Sequence, residues 1–268
     1  MSGISSKAAG KLENKNKYNG IEFDNDLDIN TYEAFYRNLD FQIGRWWQID
    51  PKADSLLGIS PYNSMVNNPI SIKDPKGDLI QFDENASGEY KAKVLVAAIT
   101  LLIKGVGDNL IQLASSKRTY TFSESKTLES SFLGNKNVQG GVVSWNPNVG
   151  LLTSNQAKLS ATTVLNHELD HATHYDNNPT KYFEEKKSSN YFDAIYDNIE
   201  EKRVVTGSEQ RTAFAMGEII GNQLTRTDHQ TFGTIATQWP NSANGTVTPI
   251  SGNLDNIIIK SKKSKSKN

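Results

Sequence analysis

A His-Glu-x-x-His pattern in the middle of the chain most constrains its structure. His167 and His171 are four residues apart, so on a helix their imidazoles lie on one face and can bind one metal ion. Glu168 lies next to them, where it can act as general base on a water at that ion. The pattern predicts a helix that starts after Thr153 or Ser154. Its apolar positions recur at spacings of three and four: Ala157, Ala161, Val164, Leu165, Leu169 and Ala172.

The use of histidine supports a metal site. The chain has only four histidines, and three of them, His167, His171 and His174, fall within eight residues. The alternative is a surface helix whose histidines and glutamate are simply solvated. Because the chain has no cysteine, the other ligands must be histidine or carboxylate. A site with two histidines needs one more protein ligand and keeps the fourth position for water, which predicts Zn²⁺ as the cofactor.

The third ligand is expected to be a carboxylate on the next helix, because the remaining histidine, His229, is remote in the sequence. An aspartate is the alternative to a glutamate there. Asp170 and Asp176 are close to the motif, and Asp170 is near enough in helical angle to be a partner of His167.

The stretch Glu200-Glu201-Lys202-Arg203 lies thirty residues after the motif. It resembles the third-ligand helix of glutamate-zincin peptidases, which include clostridial neurotoxin light chains and related secreted bacterial effector peptidases. The resemblance spans most of residues 90–230 and implies that Glu201 binds zinc with His167 and His171. It also implies that Glu200 or Arg203 orients the motif histidines. Three further segments resemble the effector family: Ser144-Trp145-Asn146-Pro147, Ser208-Glu209-Gln210-Arg211 and Arg226-Thr227-Asp228-His229.

The oxyanion donor has no obvious position in this resemblance. No tyrosine follows Tyr196, so the C-terminal tyrosine of the neurotoxin light chains has no counterpart. Arg211 and Tyr175 are the candidate catalytic donors. Zinc alone is the alternative, because a bound metal ion can itself polarise a carbonyl.

A series of short motifs lies between residues 17 and 77: Lys17-Tyr18-Asn19-Gly20, Tyr32, Arg37, Asp40, Gln42-Ile43-Gly44-Arg45-Trp46, Asp50-Pro51, Ser60-Pro61-Tyr62, Asn67-Asn68-Pro69-Ile70 and Asp74-Pro75-x-Gly77. In order and spacing these motifs resemble the end of the RHS-repeat-associated core domain, which precedes the variable toxin of polymorphic bacterial toxins. Phe35 and Phe41 depart from that pattern. The family implies a segment that closes a cocoon of upstream repeats, with self-cleavage near the Asp-Pro-x-Gly element in which Asp50 and Asp74 take part. A turn-forming role for both aspartates is the favoured alternative.

These features predict an α+β chain in three parts: an RHS core remnant (1–80), a zincin-like metallopeptidase domain (81–259) and a basic tail (260–268). Residues 90–115 read as two helices broken at the glycines near 105–107. Residues 21–23, 32–36, 118–122 and 140–145 read as strands. The strand that ends at Trp145 is expected to hold substrate as a sheet edge, or else to be an ordinary core strand.

Composition bounds the partners. The net charge of −1 favours neither nucleic acid nor acidic membranes, and the longest apolar run, residues 94–103, is too short to span a bilayer. Residues 1–20 lack the apolar core of a signal peptide, so we expect secretion by a route that the chain does not show.

The predicted function is a zinc endopeptidase toxin that cleaves a protein in the target-cell cytoplasm. Its expected partners are that substrate, a cognate immunity protein, and an RHS cocoon if one is fused upstream. A non-enzymatic RHS remnant that serves as a structural or interaction module is the main alternative. A second alternative is zinc-dependent hydrolysis of a substrate other than protein.

Overall fold

The structure is a computed structural model that describes residues 16–18, 21–24, 30–50, 60–64, 81–135, 140–187 and 192–250. The chain divides into two compact units, residues 1–79 and residues 80–268. Two stretches of the RHS resemblance, 67–70 and 74–77 with Asp74, and the basic tail at 260–268 lie outside the described residues.

The first unit contains a five-stranded antiparallel sheet in which each strand pairs with the next. Ile21, Leu39 and Trp46 are its buried apolar residues. The Arg37 guanidinium lies 4.7 Å from the centre of the Trp46 ring and 2.9 Å from the Asp50 carboxylate. Asp50 therefore acts as the counter-ion of a buried arginine. The strands are β1 (Asn16–Tyr18), β2 (Ile21–Asp24), β3 (Thr31–Glu33), β4 (Asn38–Asp40) and β5 (Arg45–Trp46).

The described residues of the second unit form two four-stranded sheets and a short hairpin. The first sheet has the order β6-β7-β9-β8, and β8 is its antiparallel edge strand. The second has the order β11-β10-β14-β15, and β12 pairs with β13. These strands are β6 (Gln81–Phe82), β7 (Thr119–Glu124), β8 (Ser131–Gly134), β9 (Gly140–Trp145), β10 (Val149–Thr153), β11 (Lys158–Leu159), β12 (Phe192–Asp193), β13 (Asp197–Asn198), β14 (Thr231–Ala236) and β15 (Thr246–Pro249).

The predicted strand at 140–145 is present as β9, but β7 and β8 flank it on both sides. The expectation that it forms a free edge for substrate is therefore wrong. Its alternating burial, with Val143 and Trp145 inside, is that of a central strand with one face on the core. The free edge on this side of the sheet belongs to β8.

Six α-helices are described in the second unit, and together with the sheets they confirm the α+β class. The predicted glycine break separates α1 from α2, and Gly105 there has a left-handed φ of 70°. None of the described helices is long and apolar enough to cross a membrane by itself; α1 and α2 meet that test only as a pair bent by 118°. The helices are α1 (Gly88–Ile103), α2 (Asp108–Ala114), α3 (Ala161–Asn177), α4 (Pro179–Lys187), α5 (Ile199–Val204) and α6 (Gln210–Met216). A π-helical turn, Val205–Glu209, joins α5 to α6.

The motif helix α3 begins later than its apolar periodicity predicts, and the predicted N-cap at Thr153 or Ser154 is wrong. Gln156 has a left-handed φ of 64°, which a helix does not accommodate, and the chain turns there between β10 and β11. Ser160 is the actual N-cap: its side chain accepts a hydrogen bond from the Thr163 amide at 3.3 Å.

Helix α3 is a core helix, so the alternative of a solvated surface helix is wrong. Every side chain from Ala161 to Thr173 is buried, and the helix packs against α1, α2 and strands of both sheets. The Trp145 indole donates a hydrogen bond to the Ala161 carbonyl at 2.8 Å. The Glu218 carboxylate accepts from the Thr163 hydroxyl at 2.7 Å, where the positive end of the helix dipole favours an anion. These contacts fix the helix that carries the motif.

Candidate metal centre

Three predicted ligands converge at the middle of α3. The Nε2 atoms of His167 and His171 lie 3.2 Å apart. Glu201 Oε2 lies 3.3 Å from the first nitrogen and 3.1 Å from the second. All three side chains are buried, and together they form a group that could hold one metal ion.

Glu201 reaches the histidines because of how α5 begins. The hairpin of β12 and β13 leads directly into the helix, and the Asn198 side chain at the N-cap accepts a hydrogen bond from the Glu201 amide at 2.9 Å. Glu200 and Glu201 occupy the first turn, where the helix dipole favours carboxylates. Local capping therefore fixes the position of the third ligand.

Glu200 orients His171 through the ring nitrogen that points away from the ligand group, Nδ1. It accepts a hydrogen bond from His171 Nδ1 at 2.8 Å and two from the Arg203 guanidinium, at 2.9 and 2.8 Å. Burial alone would raise the pKa of Glu200, but the hydrogen bonds from His171, His174 and Arg203 hold it well below its usual range. Because a carboxylate only accepts, His171 carries its proton on Nδ1 and directs Nε2 at the site. Of the two residues that the resemblance implies, Glu200 contacts His171, and Arg203 holds Glu200.

Glu209 orients His167 in the same way, and sequence reasoning missed it. Its Oε2 lies 2.9 Å from His167 Nδ1, while Arg226 donates to both of its oxygens, at 3.0 and 2.5 Å. Burial would raise the pKa of Glu209, but the Arg226 charge and the His167 hydrogen bond lower it to about 2. The prediction that Asp170 partners His167 is wrong, because Asp170 accepts from Arg203 at 2.8 Å.

The ligand atoms carry charges that a metal ion would replace. Burial would lower the pKa of His167, but its hydrogen bonds to Glu201 and Glu209 raise it to about 10. The pKa of Glu201, which burial would raise, is held well below its usual range by His171 and His167. His167 is therefore protonated at neutral pH in the metal-free protein. A ligand must be deprotonated, so metal binding releases this proton and weakens as the pH falls.

The aspartate alternatives for the third ligand are engaged elsewhere. Asp176 accepts hydrogen bonds from Tyr120 at 2.8 Å and from Ser116 at 2.6 Å, at the C-terminal end of α3.

A second group, formed by His174, Glu185 and Glu200, also brings possible ligand atoms together. Each oxygen of Glu200, however, already accepts from one histidine and from Arg203. Glu200 is therefore engaged with the first site, through its hydrogen bond from His171.

Glu168 lies on the same helix, with 8% of its surface exposed. Its charge contributes to raising the pKa of His167 and, to a smaller extent than burial and Glu200, the pKa of Tyr182. The Tyr182 ring packs edge-on against His171, with centroids 6.5 Å apart. Glu168 directly follows the ligand His167 on this buried helix, and its role as general base stays a prediction.

The two predicted oxyanion donors have other surroundings. The Tyr175 hydroxyl donates to the Asn135 carbonyl at 2.7 Å, and only 2% of the residue is exposed. Arg211 is exposed on α6 and lines a small cavity with Asn109 and Asn166. The structure gives neither residue geometric support as a donor.

His229, expected to be remote, lies at the site. Its Nε2 is 3.3 Å from Glu201 Oε2, and its ring stacks near that of His167, with centroids 6.4 Å apart. Its Nδ1 lies 2.6 Å from Asp197 Oδ2. His229 is far from the motif in the sequence, but the loop before β14 returns to the hairpin that precedes α5. There the His229 amide donates a hydrogen bond to the Ile195 carbonyl at 3.0 Å.

Comparison with known proteins gives no match. No family model fits the chain, and no curated protein or solved structure is significantly similar to it. The resemblances to RHS core domains and to glutamate-zincins therefore stay predictions, and the geometry of the site carries the functional argument.

Replacing Glu209 by glutamine is expected to weaken metal binding by about 10- to 100-fold, because the carboxylate that fixes the His167 tautomer is lost. Competition with a chromophoric chelator measures this affinity, and the melting temperature checks folding. Glu185→Gln is the matched control, since Glu185 contacts only His174, at 3.8 Å, among the site histidines described. Equal affinities in the two variants would show that Glu209 does not orient a ligand.

Proposed function

We propose that the second unit is a zinc-dependent endopeptidase. The observation that carries this proposal is the convergence of His167, His171 and Glu201, with each histidine oriented by its own buried carboxylate. In a tetrahedral zinc site, bonds of about 2.0–2.1 Å place neighbouring ligand atoms about 3.3 Å apart. The distances here are 3.1, 3.2 and 3.3 Å, so the donor set fits the ion.

The chemistry divides between the ion and Glu168. Zinc held by these three residues supplies Lewis acidity, which activates water and polarises a carbonyl. Glu168 accepts the proton of the attacking water and then delivers it to the departing amine. Its burial beside the ligands shields the carboxylate from bulk solvent and holds it near the reacting atoms.

The substrate in this proposal binds as an extended strand along β8. That strand is at the edge of its sheet and packs against α3, the helix that carries the motif. Many proteins bind a peptide as an added strand, because the main-chain hydrogen bonds of a sheet edge form with a peptide of almost any sequence. Leu133, 65% exposed on β8, offers an apolar contact to a substrate side chain.

Delivery into a target cell as a toxin, with a cognate immunity protein, is proposed on the resemblance of residues 17–77 to RHS core domains. The alternative, a non-enzymatic RHS remnant acting as an interaction module, requires no functional metal site. An intact ligand set with both orienting carboxylates in place favours the enzyme.

The proposed activity is tested by digesting a mixed-sequence peptide library with the full chain and sequencing the new ends by mass spectrometry. We expect cleavage that a chelator abolishes and added zinc restores. Cleavage that persists after chelation, or a zinc-loaded protein that leaves every peptide intact, would refute the endopeptidase proposal. The second result would leave hydrolysis of another substrate class as the alternative.

A further inference from the structure

Lys186, near the end of α4, lies beside the predicted ligand Glu201. Its Nζ is 3.6 Å from Glu201 Oε1. The imidazoles at the site face the other oxygen, Oε2: ring nitrogens of His167, His171 and His229 lie 3.3, 3.1 and 3.3 Å from it. The two oxygens of this carboxylate therefore have different surroundings, and Oε2 is the one that lies with the imidazole nitrogens.

The surroundings of Lys186 hold its ammonium in this place. Nζ lies 5.5 Å from the centre of the Tyr182 ring, a cation–π arrangement, and the lysine side chain is 26% exposed. Tyr182 is itself buried, and its ring packs edge-on against His171, with centroids 6.5 Å apart. One buried ring thus contacts both the lysine and a predicted metal ligand.

The neighbouring lysines of α4 have other partners. Lys181 Nζ lies 3.6 Å from Glu185 Oε1, and Lys187 Nζ lies 5.5 Å from the centre of the Phe183 ring. Among the ion pairs of the described residues, Lys186 is the only lysine or arginine that pairs with Glu201. The contact is therefore particular to one position of the helix.

We propose that Lys186 is a positioning residue that holds Glu201 Oε1, so that Glu201 binds the metal ion through Oε2 alone. A carboxylate can bind a divalent ion with one oxygen or with both. An ammonium has three donors and no acceptor, so it competes with the ion for Oε1. One oxygen and two imidazoles leave the fourth position of a tetrahedral site for water. The inference rests on the proposed metal centre and names the contact that keeps this position open.

The proposal predicts a sign that a purely structural role does not. An ammonium next to a ligand repels a divalent cation, and it occupies an oxygen that could otherwise bind the ion. Loss of Lys186 should therefore strengthen metal binding and add the second oxygen of Glu201 to the ligand set. A residue that only supports the fold around Glu201 would weaken metal binding when it is lost.

The test uses the full chain, freed of metal with a chelator and loaded with Co²⁺. The visible spectrum of Co²⁺ reports its coordination, because a four-coordinate ion absorbs more strongly than a five-coordinate ion. We expect Lys186→Met to lower the molar absorbance by about twofold and to bind Co²⁺ about tenfold more tightly. Lys186→Arg keeps the cation and should give the wild-type spectrum. Lys187→Met is the matched control, and circular dichroism checks the folding of each variant.

Each other result has a defined meaning. A wild-type spectrum in Lys186→Met would overturn the proposal, and weaker Co²⁺ binding by the folded variant would make Lys186 a structural residue. The altered spectrum in Lys186→Arg as well would show that the positive charge does not hold Oε1. A wild-type chain that binds no Co²⁺ would refute the metal centre and the role of Lys186 with it. Failure of the peptidase proposal is distinguishable, because absent peptide cleavage leaves these spectra unchanged.

Discussion

Glu168→Gln is expected to lower peptide turnover by about 10²- to 10⁴-fold, the range that a positioned general base contributes. The substitution keeps the size of the side chain and removes only its ability to take a proton. Glu168 is not one of the three converging ligands, so bound zinc and the melting temperature should stay at their wild-type values.

The initial rate of peptide cleavage under saturating substrate, together with zinc per chain, measures this prediction. Glu184→Gln on α4 is a suitable control, because it changes a glutamate outside the predicted ligand group in the same way. Wild-type turnover in Glu168→Gln would mean that another group activates water. Reduced turnover with reduced zinc would instead make Glu168 a residue that holds the ion.

Removing the metal is expected to lower the melting temperature by about 5–10 °C. Free zinc at one hundred times its dissociation constant stabilises the folded state by about 2.7 kcal/mol, and each kcal/mol shifts the transition of a unit this size by about 2–4 °C. The metal-free protein should still fold, because protonated His167 pairs with Glu201 and Glu209 and replaces part of the ion's charge.

Differential scanning calorimetry with and without a chelator measures this shift. His171→Ala serves as the control, since a site without its second imidazole should melt at the same temperature in both conditions. An equal melting temperature for wild type with and without chelator would show that the ion contributes nothing to the fold.

The sequence predicted the parts of the site that depend on local helical geometry. The spacing of His167 and His171 on a helix is fixed by the helical repeat, and the structure places them on one buried face. Glu201 came from resemblance to a ligand helix, and the structure brings it within reach of both histidines. The two-helix segment at 88–114 was readable for the same reason, because its glycine break has a local signature.

The parts that sequence reasoning missed depend on irregular backbone or on distant contacts. Glu201 and Glu209 are eight residues apart, a spacing that turns the second side chain about 80° away from the first in a regular α-helix. The π-helical turn at Val205–Glu209 accommodates one extra residue, so the two carboxylates point the same way as if seven apart. His229 reaches the site through a loop, and a loop residue carries no periodicity that reveals its partner. The N-cap prediction failed at Gln156, whose left-handed backbone has no signal in its residue type.

Metal content after purification and dialysis tests the central claim most directly. The account predicts about one zinc ion per chain for the wild type, and little or none for His167→Ala, His171→Ala and Glu201→Ala, each of which removes one ligand. Glu185→Ala should retain the wild-type amount. No bound metal in the wild type, or a wild-type amount of zinc in each of the three ligand variants, would contradict the convergence of these side chains on one ion.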